Sequence, residues 1–324
     1  MNVAINGLGR IGRQVLKIGL ERKINFVAIN DLASPEQLAY LIKYDSVYGN
    51  FPGKIEAGKN FIKINGKKIL ILSEPNPEEL PWKKLKIDVV IEATGKFKEK
   101  KDAEKHLKAG AKKVLTTAVS ESADLLIVLG ANDKQLKDQK IIAMASCTTN
   151  CLAPIAKVLD QKFKIKKGFM TTVHGYTSSQ GLVDMPQKKV RRGRSAVLNL
   201  VPTTSGATSA TELVVPSLKG KIDGLAIRAP VPVGSIVDFV ALISKNTTKE
   251  EVNKVLKKAA KKSKGIIQYS EEELVSSDIL KNPHSSIVDS SLTQANGNMI
   301  KVLVWYDNEW GYSTRVVDLL KKLK

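Results

Sequence analysis

The first half of the chain alternates short apolar runs with helical periodicity. Residues 3–5 predict a strand, apolar side chains then recur at helical spacing from Ile11 to Ile18, and residues 26–29 predict a second strand. The Asn65-Gly66 pair between two further apolar runs predicts an antiparallel hairpin that interrupts this winding. Later runs, at 88–91, 114–115, 125–129 and 141–144, are continuous, as is typical of parallel strands covered on both faces. The pattern predicts a Rossmann-type α/β nucleotide-binding domain.

After residue 150 the pattern changes to longer β-rich stretches. Residues 168–174, 224–228, 235–244 and 299–306 predict strands. Thr248 and Glu251 predict a capping box at the start of one clear helix, whose buried stripe includes Val252 and Leu256. We expect an α+β catalytic domain with an antiparallel or mixed sheet and helices on one side. The expected domains are 1–146 for nucleotide binding, 147–311 for catalysis, and 312–324 as a helix that packs back on the first domain.

Composition narrows the class of protein. With 324 residues, 43% hydrophobic and 26% charged, the chain is unlike collagen, low-complexity segments or disulfide scaffolds. Only two cysteines occur, Cys147 and Cys151, which favours a reducing compartment. No apolar run is long enough to cross a bilayer, and the N-terminus lacks a basic region before its apolar stretch. We therefore expect a cytoplasmic protein that contacts no membrane.

The formal net charge is +20, from 52 Lys and Arg against 32 Asp and Glu. Such a charge is compatible with nucleic acid, acidic membrane surfaces or anionic small molecules as partners. The excess is mostly lysine spread along the chain rather than an arginine-rich arm, which favours solvated helix faces. We expect nucleic acid to bind only by nonspecific electrostatics.

A glycine-rich turn follows the first predicted strand. Gly7, Gly9 and Gly12 form G-x-G-x-x-G at the start of the first helix, and Asp31 ends the second strand. Glycines allow the backbone to approach a pyrophosphate, whose charge is stabilised by free N–H groups of the helix. Asp31 is then expected to accept hydrogen bonds from the adenosine ribose. A glycine turn without a ligand is the alternative, but the flanking strand, helix and acid favour dinucleotide binding.

Cys147 is the candidate nucleophile. It lies between an apolar strand and a predicted helix, where helix N–H groups stabilise a thiolate. A small buried residue and a metal pair with Cys151 are the alternatives. Zinc is disfavoured because there is no second Cys or His pair at finger spacing. We expect Cys151 to be buried and inert.

A nucleophilic cysteine needs a base, and the chain has three histidines. His106 lies in a Lys-rich stretch and His284 in a polar loop, so both are expected to be exposed. His174 ends a β-branched run and is the candidate base, expected to stabilise the Cys147 thiolate by ion pairing, although a strand-end histidine can be structural. The arginines at 191, 192, 194 and 228 fit phosphate oxygens or surface ion pairs equally well on spacing alone.

Five motifs, in order along nearly the whole chain, resemble the phosphorylating glyceraldehyde-3-phosphate dehydrogenase family. They are NGLGRIGR at 6–13, YDSVYG at 44–49, ASCTTNCLA at 145–153, PTTSGA at 202–207 and WYDNEWGYS at 305–313. The resemblance implies NAD-dependent oxidative phosphorylation of D-glyceraldehyde 3-phosphate to 1,3-bisphosphoglycerate through a cysteine thioester, with glyceraldehyde 3-phosphate and inorganic phosphate as substrates. It also implies a homotetramer, because residues 181–200 resemble a loop that packs across subunits.

The resemblance also implies roles for individual residues. It makes Cys147 the thiolate that attacks the aldehyde and His174 the group that accepts the proton during hydride transfer. Residues that match substrate and phosphate contacts are Thr177, Ser179, Arg192 and Arg228 for the sugar phosphate, and Ser146, Thr148, Ser205 and Gly206 for inorganic phosphate. Cofactor contacts, beside the three glycines, are matched by Arg10, Ile11, Asp31, Gly95, Thr117 and Asn308, with Asn308 holding the nicotinamide carboxamide. No metal is implied.

Departures from the family pattern are few. Ser205 replaces a usual threonine and keeps the hydroxyl, while Pro75 and Val119 differ near the cofactor and bear on its affinity. A carboxylate at Asp31 favours NAD over NADP because it repels a 2′-phosphate.

Two rival functions are weighed. Erythrose-4-phosphate dehydrogenase is similar in fold and in its Cys-His pair. A nucleic-acid-binding protein on the same fold is the rival of another class, and the intact Cys147, His174 and Arg228 argue against it.

Overall fold

The computed structural model describes residues 1–323, which divide into two compact units. The first comprises residues 1–127, 134–145 and 313–323, and the second comprises residues 128–133 and 146–312. Within the described range, no helix is both long and apolar enough to cross a membrane.

The first unit is built on a nine-stranded sheet. Its elements are β1 (Asn2–Asn6), α1 (Arg10–Glu21), β2 (Asn25–Asn30), α2 (Pro35–Lys43), β3 (Ile55–Gly58), β4 (Phe61–Ile64), β5 (Lys67–Leu72), β6 (Val89–Glu92), α3 (Lys100–Lys108), β7 (Lys113–Thr116), β8 (Leu125–Leu126) and β9 (Ile141–Ala143). The strand order is β3-β4-β5-β2-β1-β6-β7-β9-β8. Because β1 pairs in parallel with both β2 and β6, the winding reverses there, and the carboxyl ends of these strands border a crevice suited to a ligand. The predicted Rossmann-type domain is confirmed.

Two details of this unit differ from the sequence prediction. Asn65 and Gly66, with φ of 48° and 84°, turn β4 into β5 as predicted, but β5 then pairs in parallel with β2. The hairpin therefore extends the sheet at its edge and does not interrupt the winding. The apolar run at 125–129 forms a strand only at Leu125–Leu126, since the chain passes to the second unit at residue 128.

The second unit carries a seven-stranded mixed sheet. Its elements are α4 (Cys147–Phe163), β10 (Lys167–Gly175), β11 (Val201–Thr204), α5 (Ala207–Val214), β12 (Ile222–Ala229), β13 (Ser235–Leu242), α6 (Lys249–Lys262), β14 (Ile267–Ser270), β15 (Ser286–Asn296) and β16 (Met299–Tyr306), and the chain ends in α7 (Trp310–Lys322). The strand order is β11-β12-β10-β13-β16-β15-β14, with only β10–β12 and β14–β15 parallel. The predicted α+β class is confirmed.

Helices cover one face of this sheet. Helix α4 packs against both α5 and α6, so the three form one layer. Alternation along β10 buries Met170 while its neighbour Phe169 is 71% exposed, which leaves the opposite face open. The predicted cap of α6 is half correct: Thr248 accepts from the Glu251 N–H, whereas the Glu251 carboxylate accepts from the Thr247 hydroxyl.

Candidate functional site

A strained turn presents Cys147 at the start of α4. Ala145 has a left-handed φ of 55°, a conformation that is costly for a residue with a Cβ and that occurs often at functional sites. The Ser146 hydroxyl then caps the helix by accepting from the Thr149 N–H at 3.0 Å. Cys147 is the first helical residue, where the backbone N–H groups point toward incoming negative charge. The local sequence thus places a thiol at the positive end of a helix.

His174 and Arg228 meet this thiol from neighbouring strands. Strand β10 ends with His174, which pairs in register with Arg228 on β12. His174 Nε2 lies 3.4 Å from Cys147 Sγ, and Arg228 Nη1 lies 2.7 Å from His174 Nδ1. The three side chains form one cluster, in which the imidazole lies between the thiol and the guanidinium.

The Gly175 carbonyl sets the orientation of the imidazole. Its oxygen lies 2.6 Å from His174 Nδ1 and also accepts from Arg228 Nη1 at 3.2 Å. When the ring proton lies on Nδ1, Nδ1 and Arg228 Nη1 both donate to this carbonyl, and Nε2 is left to accept from the thiol. In that tautomer the ring faces Cys147 as a base.

Burial and the Arg228 guanidinium shift the pKa values of both Cys147 and His174. Burial raises the pKa of the Cys147 thiol, and the Arg228 guanidinium lowers it by a smaller amount. Burial and then Arg228 lower the pKa of His174 to about 3, because both disfavour an imidazolium. Both directions oppose the charged forms of the two groups, and the thiolate–imidazolium pair expected from the sequence stays a prediction. His174 is positioned to take the thiol proton during attack.

Tyr306 contacts both His174 and the start of α4, and its role was not predicted from the sequence. Its buried hydroxyl lies 2.8 Å from the Thr148 hydroxyl and 2.9 Å from the Thr172 hydroxyl. Its ring meets the His174 ring edge-on at 6.0 Å between centroids. Tyr306 therefore contacts both the imidazole and the first turn of α4. Its place as the second residue of the motif WYDNEWGYS was the available signal.

The other residues expected to bind phosphate form small contacts of their own. Thr177 and Ser179 share a hydrogen bond of 2.8 Å between hydroxyls, and Arg192 Nε donates to the Thr203 hydroxyl at 3.0 Å. Ser205 accepts from the Ala207 N–H as α5 begins. Gly206 is the N-cap of α5 and has no side-chain cap, so the helix presents backbone N–H groups there. Like Arg228, Arg192 lowers the pKa of His174, which places both guanidiniums within electrostatic reach of the ring.

Asn308 is also ordered within the second unit. Its Oδ1 accepts from the Ser235 hydroxyl at 2.9 Å, and the same hydroxyl accepts from the Gly175 N–H. This bond orients the amide so that its nitrogen is the atom available to a ligand. Ser235 was not singled out from sequence, because an isolated serine at a strand start carries no distinctive pattern.

The glycine turn of the first unit fits a pyrophosphate. Gly7 has a φ of 91°, and a Cβ there would lie 2.7 Å from the Thr94 backbone nitrogen. A Cβ on Gly12 would collide with the Gly7 carbonyl, whereas one on Gly9 would meet nothing within 4 Å. Helix α1 has no side-chain cap and no acidic residue in its first turn, so its N–H groups face the turn. Ile11 lies in that first turn. The backbone N–H groups of the turn are suited to binding an anion.

Asp31 and Arg10 lie on either side of this turn. Asp31 Oδ2 accepts from the Leu8 N–H at 2.7 Å, which holds the carboxylate beside the glycines at the end of β2. Arg10 pairs with Asp45 Oδ2 at 3.0 Å, and its guanidinium lies over the Tyr48 ring. The YDSVYG motif therefore positions Arg10, a role that its spacing did not reveal.

Gly95 and Thr117 follow β6 and β7 at the same edge of the sheet. Gly95 has a φ of 70° with open space around its Cβ position. Thr117 donates through both its N–H and its hydroxyl to the Glu92 carbonyl, at 3.0 and 3.1 Å. Each sequence-predicted cofactor residue of the first unit thus lies in or beside the carboxyl ends of parallel strands.

The expectation that His106 is exposed is wrong. Its exposed fraction is 0%, and it hydrogen-bonds Glu92 and Trp82. The Lys-rich sequence misled because His106 occupies the inner face of α3, whose lysines lie on the outer face. His284, which was also expected to be exposed, is half-buried. Within residues 1–323, no group of three or more His, Cys, Asp or Glu side chains is arranged to hold a metal ion.

Comparison with known proteins gives a consistent result. Residues 1–100 match the family model "Glyceraldehyde 3-phosphate dehydrogenase, NAD binding domain", and residues 146–308 match "Glyceraldehyde 3-phosphate dehydrogenase, C-terminal domain". Glyceraldehyde-3-phosphate dehydrogenase of Borreliella burgdorferi is 52% identical, over 100% of this chain and 99% of the relative. Its counterpart from Thermotoga maritima is 53% identical, over 99% and 98%. Glyceraldehyde-3-phosphate dehydrogenase 2 of Bacillus subtilis is 50% identical, over 99% and 96%.

Proposed function

The chain belongs to the glyceraldehyde-3-phosphate dehydrogenase family, and we propose that it is a phosphorylating enzyme that converts D-glyceraldehyde 3-phosphate, NAD and inorganic phosphate into 1,3-bisphosphoglycerate, NADH and a proton. The observation that carries this proposal is the 3.4 Å contact between Cys147 Sγ and His174 Nε2 at the start of α4. In this proposal the first unit binds the dinucleotide and the second carries the chemistry.

In the first step, Cys147 attacks the aldehyde carbon. His174 Nε2 accepts the thiol proton as the sulfur–carbon bond forms, and the imidazolium returns a proton to the aldehyde oxygen, which gives a hemithioacetal. The Cys147 backbone N–H, at the positive end of α4, stabilises the developing oxyanion. The Gly175 carbonyl accepts from Nδ1 throughout and favours the imidazolium while it lasts.

In the second step, His174 accepts the hydroxyl proton of the hemithioacetal while hydride leaves the carbon. NAD, when bound, supplies the hydride acceptor. The product is a Cys147 thioester, whose carbonyl carbon is then attacked by inorganic phosphate. Cleavage of the sulfur–carbon bond releases the acyl phosphate and returns the thiolate, which takes its proton back from His174.

Two groups of residues are assigned to the phosphates. Arg228, with Thr177, Ser179 and Arg192, binds the phosphate of the sugar, because guanidiniums and hydroxyls there match anionic oxygens. Ser146, Thr148, Ser205 and Gly206 bind inorganic phosphate, aided by the N-terminus of α5.

The cofactor is NAD, and it is assigned to the glycine turn of the first unit. The N–H groups at the start of α1 and Arg10 bind the pyrophosphate, and Asp31 accepts from the ribose. The Asn308 amide nitrogen donates to the nicotinamide carboxamide. The resemblance to the family places Met185 and Pro186 where NAD-specific members have Leu-Pro, which agrees with the repulsion of a 2′-phosphate by Asp31.

Turnover of two sugars tests the assignment. The purified enzyme is given NAD with glyceraldehyde 3-phosphate or erythrose 4-phosphate, each with and without inorganic phosphate, and NADH is followed by absorbance. We expect kcat/KM to favour glyceraldehyde 3-phosphate and turnover to require phosphate. A higher kcat/KM for erythrose 4-phosphate would contradict the assignment of glyceraldehyde 3-phosphate as the substrate. Equal rates without inorganic phosphate would contradict the proposed attack of phosphate on the thioester.

We further infer a homotetramer. Between residues 181 and 200, several apolar side chains are solvent-exposed: Leu182, Val183, Val190, Leu198 and Leu200. The open face of the second sheet adds Phe169 and Leu225. Large apolar side chains left exposed in this way are typical of surfaces that a subunit interface covers. Light scattering at micromolar concentration is expected to report four chains, and a monomer there would contradict the inference.

The proposed compartment rests on the state of the cysteines, and the proposed nucleic-acid contact rests on the net charge. Both cysteines are free thiols, which supports a reducing cytoplasm as the place of work. The outer face of α6 carries exposed lysines, including Lys257 and Lys258, consistent with weak, salt-sensitive binding of nucleic acid. Filter binding that persists at high salt would contradict a purely electrostatic contact.

A further inference from the structure

A buried hydrogen-bonded chain in the first unit is not used by the chemistry described above. Trp82 Nε1 donates to His106 Nδ1 at 3.0 Å, and His106 Nε2 lies 3.1 Å from Glu92 Oε2. Trp82 and His106 are both fully buried, and Glu92 is 3% exposed. We call these three residues the Trp82 relay. Burying a carboxylate and an imidazole is unfavourable unless every polar atom finds a partner, so this arrangement requires an explanation.

The relay has a fixed direction. An indole nitrogen can only donate, so His106 Nδ1 must accept, and the proton of the neutral ring lies on Nε2. Nε2–H therefore donates to Glu92. The other contacts of this carboxylate are also with donors: Asn6 Nδ2 at 2.6 Å on Oε2, and the Thr94 N–H at 2.8 Å and Thr94 hydroxyl on Oε1. Four donors thus define the position of the two carboxylate oxygens.

Two residues that donate hydrogen bonds to Glu92, Asn6 and Thr94, flank the glycine turn. Asn6 is the last residue of β1 and directly precedes Gly7. Thr94 packs against Gly7 so closely that no Cβ fits between them. Gly95, a matched cofactor contact, follows Thr94 directly. Any displacement of the Glu92 carboxylate is therefore passed to both sides of the turn.

The same chain of contacts continues to the ribose end of the expected site. Asn6 Oδ1 accepts from Asn30 Nδ2 at 2.7 Å, and Asn30 directly precedes Asp31. Asp31 in turn accepts from the Leu8 N–H. The Glu92 backbone carbonyl accepts from Thr117 on the other side. The relay is thus connected to the carboxyl ends of β1, β2, β6 and β7.

We propose that Trp82, His106 and Glu92 are positioning residues for the dinucleotide, which set the geometry of the Gly7–Gly12 turn and of Asp31 from behind without touching the ligand. This proposal rests on the proposed assignment of NAD to the first unit. A purely structural role, in which the relay only anchors α3 to the sheet, predicts lost stability with unchanged NAD affinity. A positioning role predicts weaker NAD binding with the second unit unaffected.

The test measures NAD affinity and the second unit separately. The full-length enzyme without cofactor is titrated with NAD by calorimetry, and the rate of Cys147 alkylation by iodoacetamide is measured on the same samples. For Glu92→Gln, which is isosteric but presents an amide N–H2 to two donors, we expect the NAD dissociation constant to rise at least about 10-fold. We expect kcat at saturating NAD, KM for glyceraldehyde 3-phosphate and the alkylation rate to stay within about two-fold.

A conservative pair of variants guards against misfolding. His106→Leu removes the donor to Glu92, whereas His106→Gln keeps an amide N–H at a similar reach, so NAD binding is expected to weaken in the first and to recover at least in part in the second. Trp82→Phe is matched by Trp305→Phe, which removes an indole donor to Asp289 in the second unit. Glu92→Gln is matched by Glu212→Gln, where the carboxylate accepts from the Gly220 N–H.

The outcomes separate cleanly. Loss of thermal stability in the relay variants with unchanged NAD affinity would overturn the proposal, as would equal loss of NAD affinity in the matched variants. An equal fall in NAD affinity and in Cys147 alkylation would also overturn it, because the effect would then be global. If the unmodified enzyme binds no NAD, the cofactor assignment and the positioning role are both overturned, whereas NAD binding that the relay variants leave unchanged overturns the positioning role alone.

Discussion

Two buried histidines, one in each unit, have opposite surroundings. His106 accepts from an indole and donates to the Glu92 carboxylate, so both ring nitrogens have a defined partner. His174 faces a thiol on one side and a guanidinium with a carbonyl on the other, and Arg228 helps to lower its pKa to about 3. The first ring is held in one state by complementary neighbours. The second is surrounded by groups that let a proton leave and return.

The difference shows that burial alone does not identify a catalytic histidine. A ring with a carboxylate on one nitrogen and a committed donor on the other has no vacant position for a substrate proton. A ring whose Nε2 faces a half-buried thiol has such a position, and the helix start at Cys147 supplies the adjacent positive potential. Substitution of His174 is therefore expected to slow the chemical step, and substitution of His106 is expected to weaken NAD binding.

Removal of the thiol is expected to have the largest effect. Cys147→Ala eliminates the sulfur that is proposed to form the thioester, so turnover is expected to fall at least about 1000-fold while NAD affinity is kept. NADH formation and calorimetric titration measure the two quantities. Iodoacetamide is expected to label Cys147 long before Cys151, which is fully buried. Labelling in the reverse order with activity retained would contradict the assignment.

Substitution of each buried histidine in turn is expected to have the next largest effect. His174→Asn removes the proton acceptor, so kcat is expected to fall by about 100-fold or more with KM for NAD little changed. His106→Asn is expected to do the reverse, with a raised KM for NAD and kcat close to that of the unmodified enzyme. Steady-state kinetics in both substrates measure this split. If both variants change kcat and the KM for NAD by the same factors, the contrast between the two sites is contradicted.

Arg228→Leu is expected to have an intermediate effect. Loss of a charged hydrogen bond to the sugar phosphate is expected to lower kcat/KM for glyceraldehyde 3-phosphate by about 10- to 100-fold while NAD affinity stays unchanged. Because the guanidinium disfavours an imidazolium, its removal is expected to raise the pKa of His174 from about 3 toward the ordinary range, as NMR of the labelled ring can show. Arg194→Leu, which breaks an exposed ion pair with Asp184, is the control. Equal losses with unphosphorylated glyceraldehyde would make Arg228 structural.

The smallest effect is expected at Asp31. The unmodified enzyme is expected to favour NAD over NADP in kcat/KM by at least about 10-fold, equivalent to about 1.4 kcal/mol, because the carboxylate repels a 2′-phosphate at contact. Asp31→Ala is expected to shrink this ratio. The diffuse field of the +20 charge attracts NADP more strongly, but it is screened over a Debye length of about 8 Å. Equal efficiency with both cofactors before mutation would refute the specificity.

The sequence predicted local elements well where a single segment carried the signal. The Asn65-Gly66 turn and the strand–glycine–helix start of α1 depend on neighbours within a few residues, and both were predicted. His106 was misjudged because its partners, Trp82 and Glu92, lie 24 and 14 residues away. The run at 125–129 was misjudged because the boundary between the two units cuts through it.

By itself, then, the sequence determined the two fold classes and the family, and it predicted the thiol, the base and the cofactor turn, because each of these depends on a short motif whose chemistry is local. Only the tertiary structure decided that His174 lies between Cys147 and Arg228, that Tyr306 fixes this group, and that His106 is buried against a carboxylate. The physical reason is that hydrogen bonds and pKa shifts depend on distances of a few ångströms between residues far apart in the chain. Strand register and helix packing set those distances.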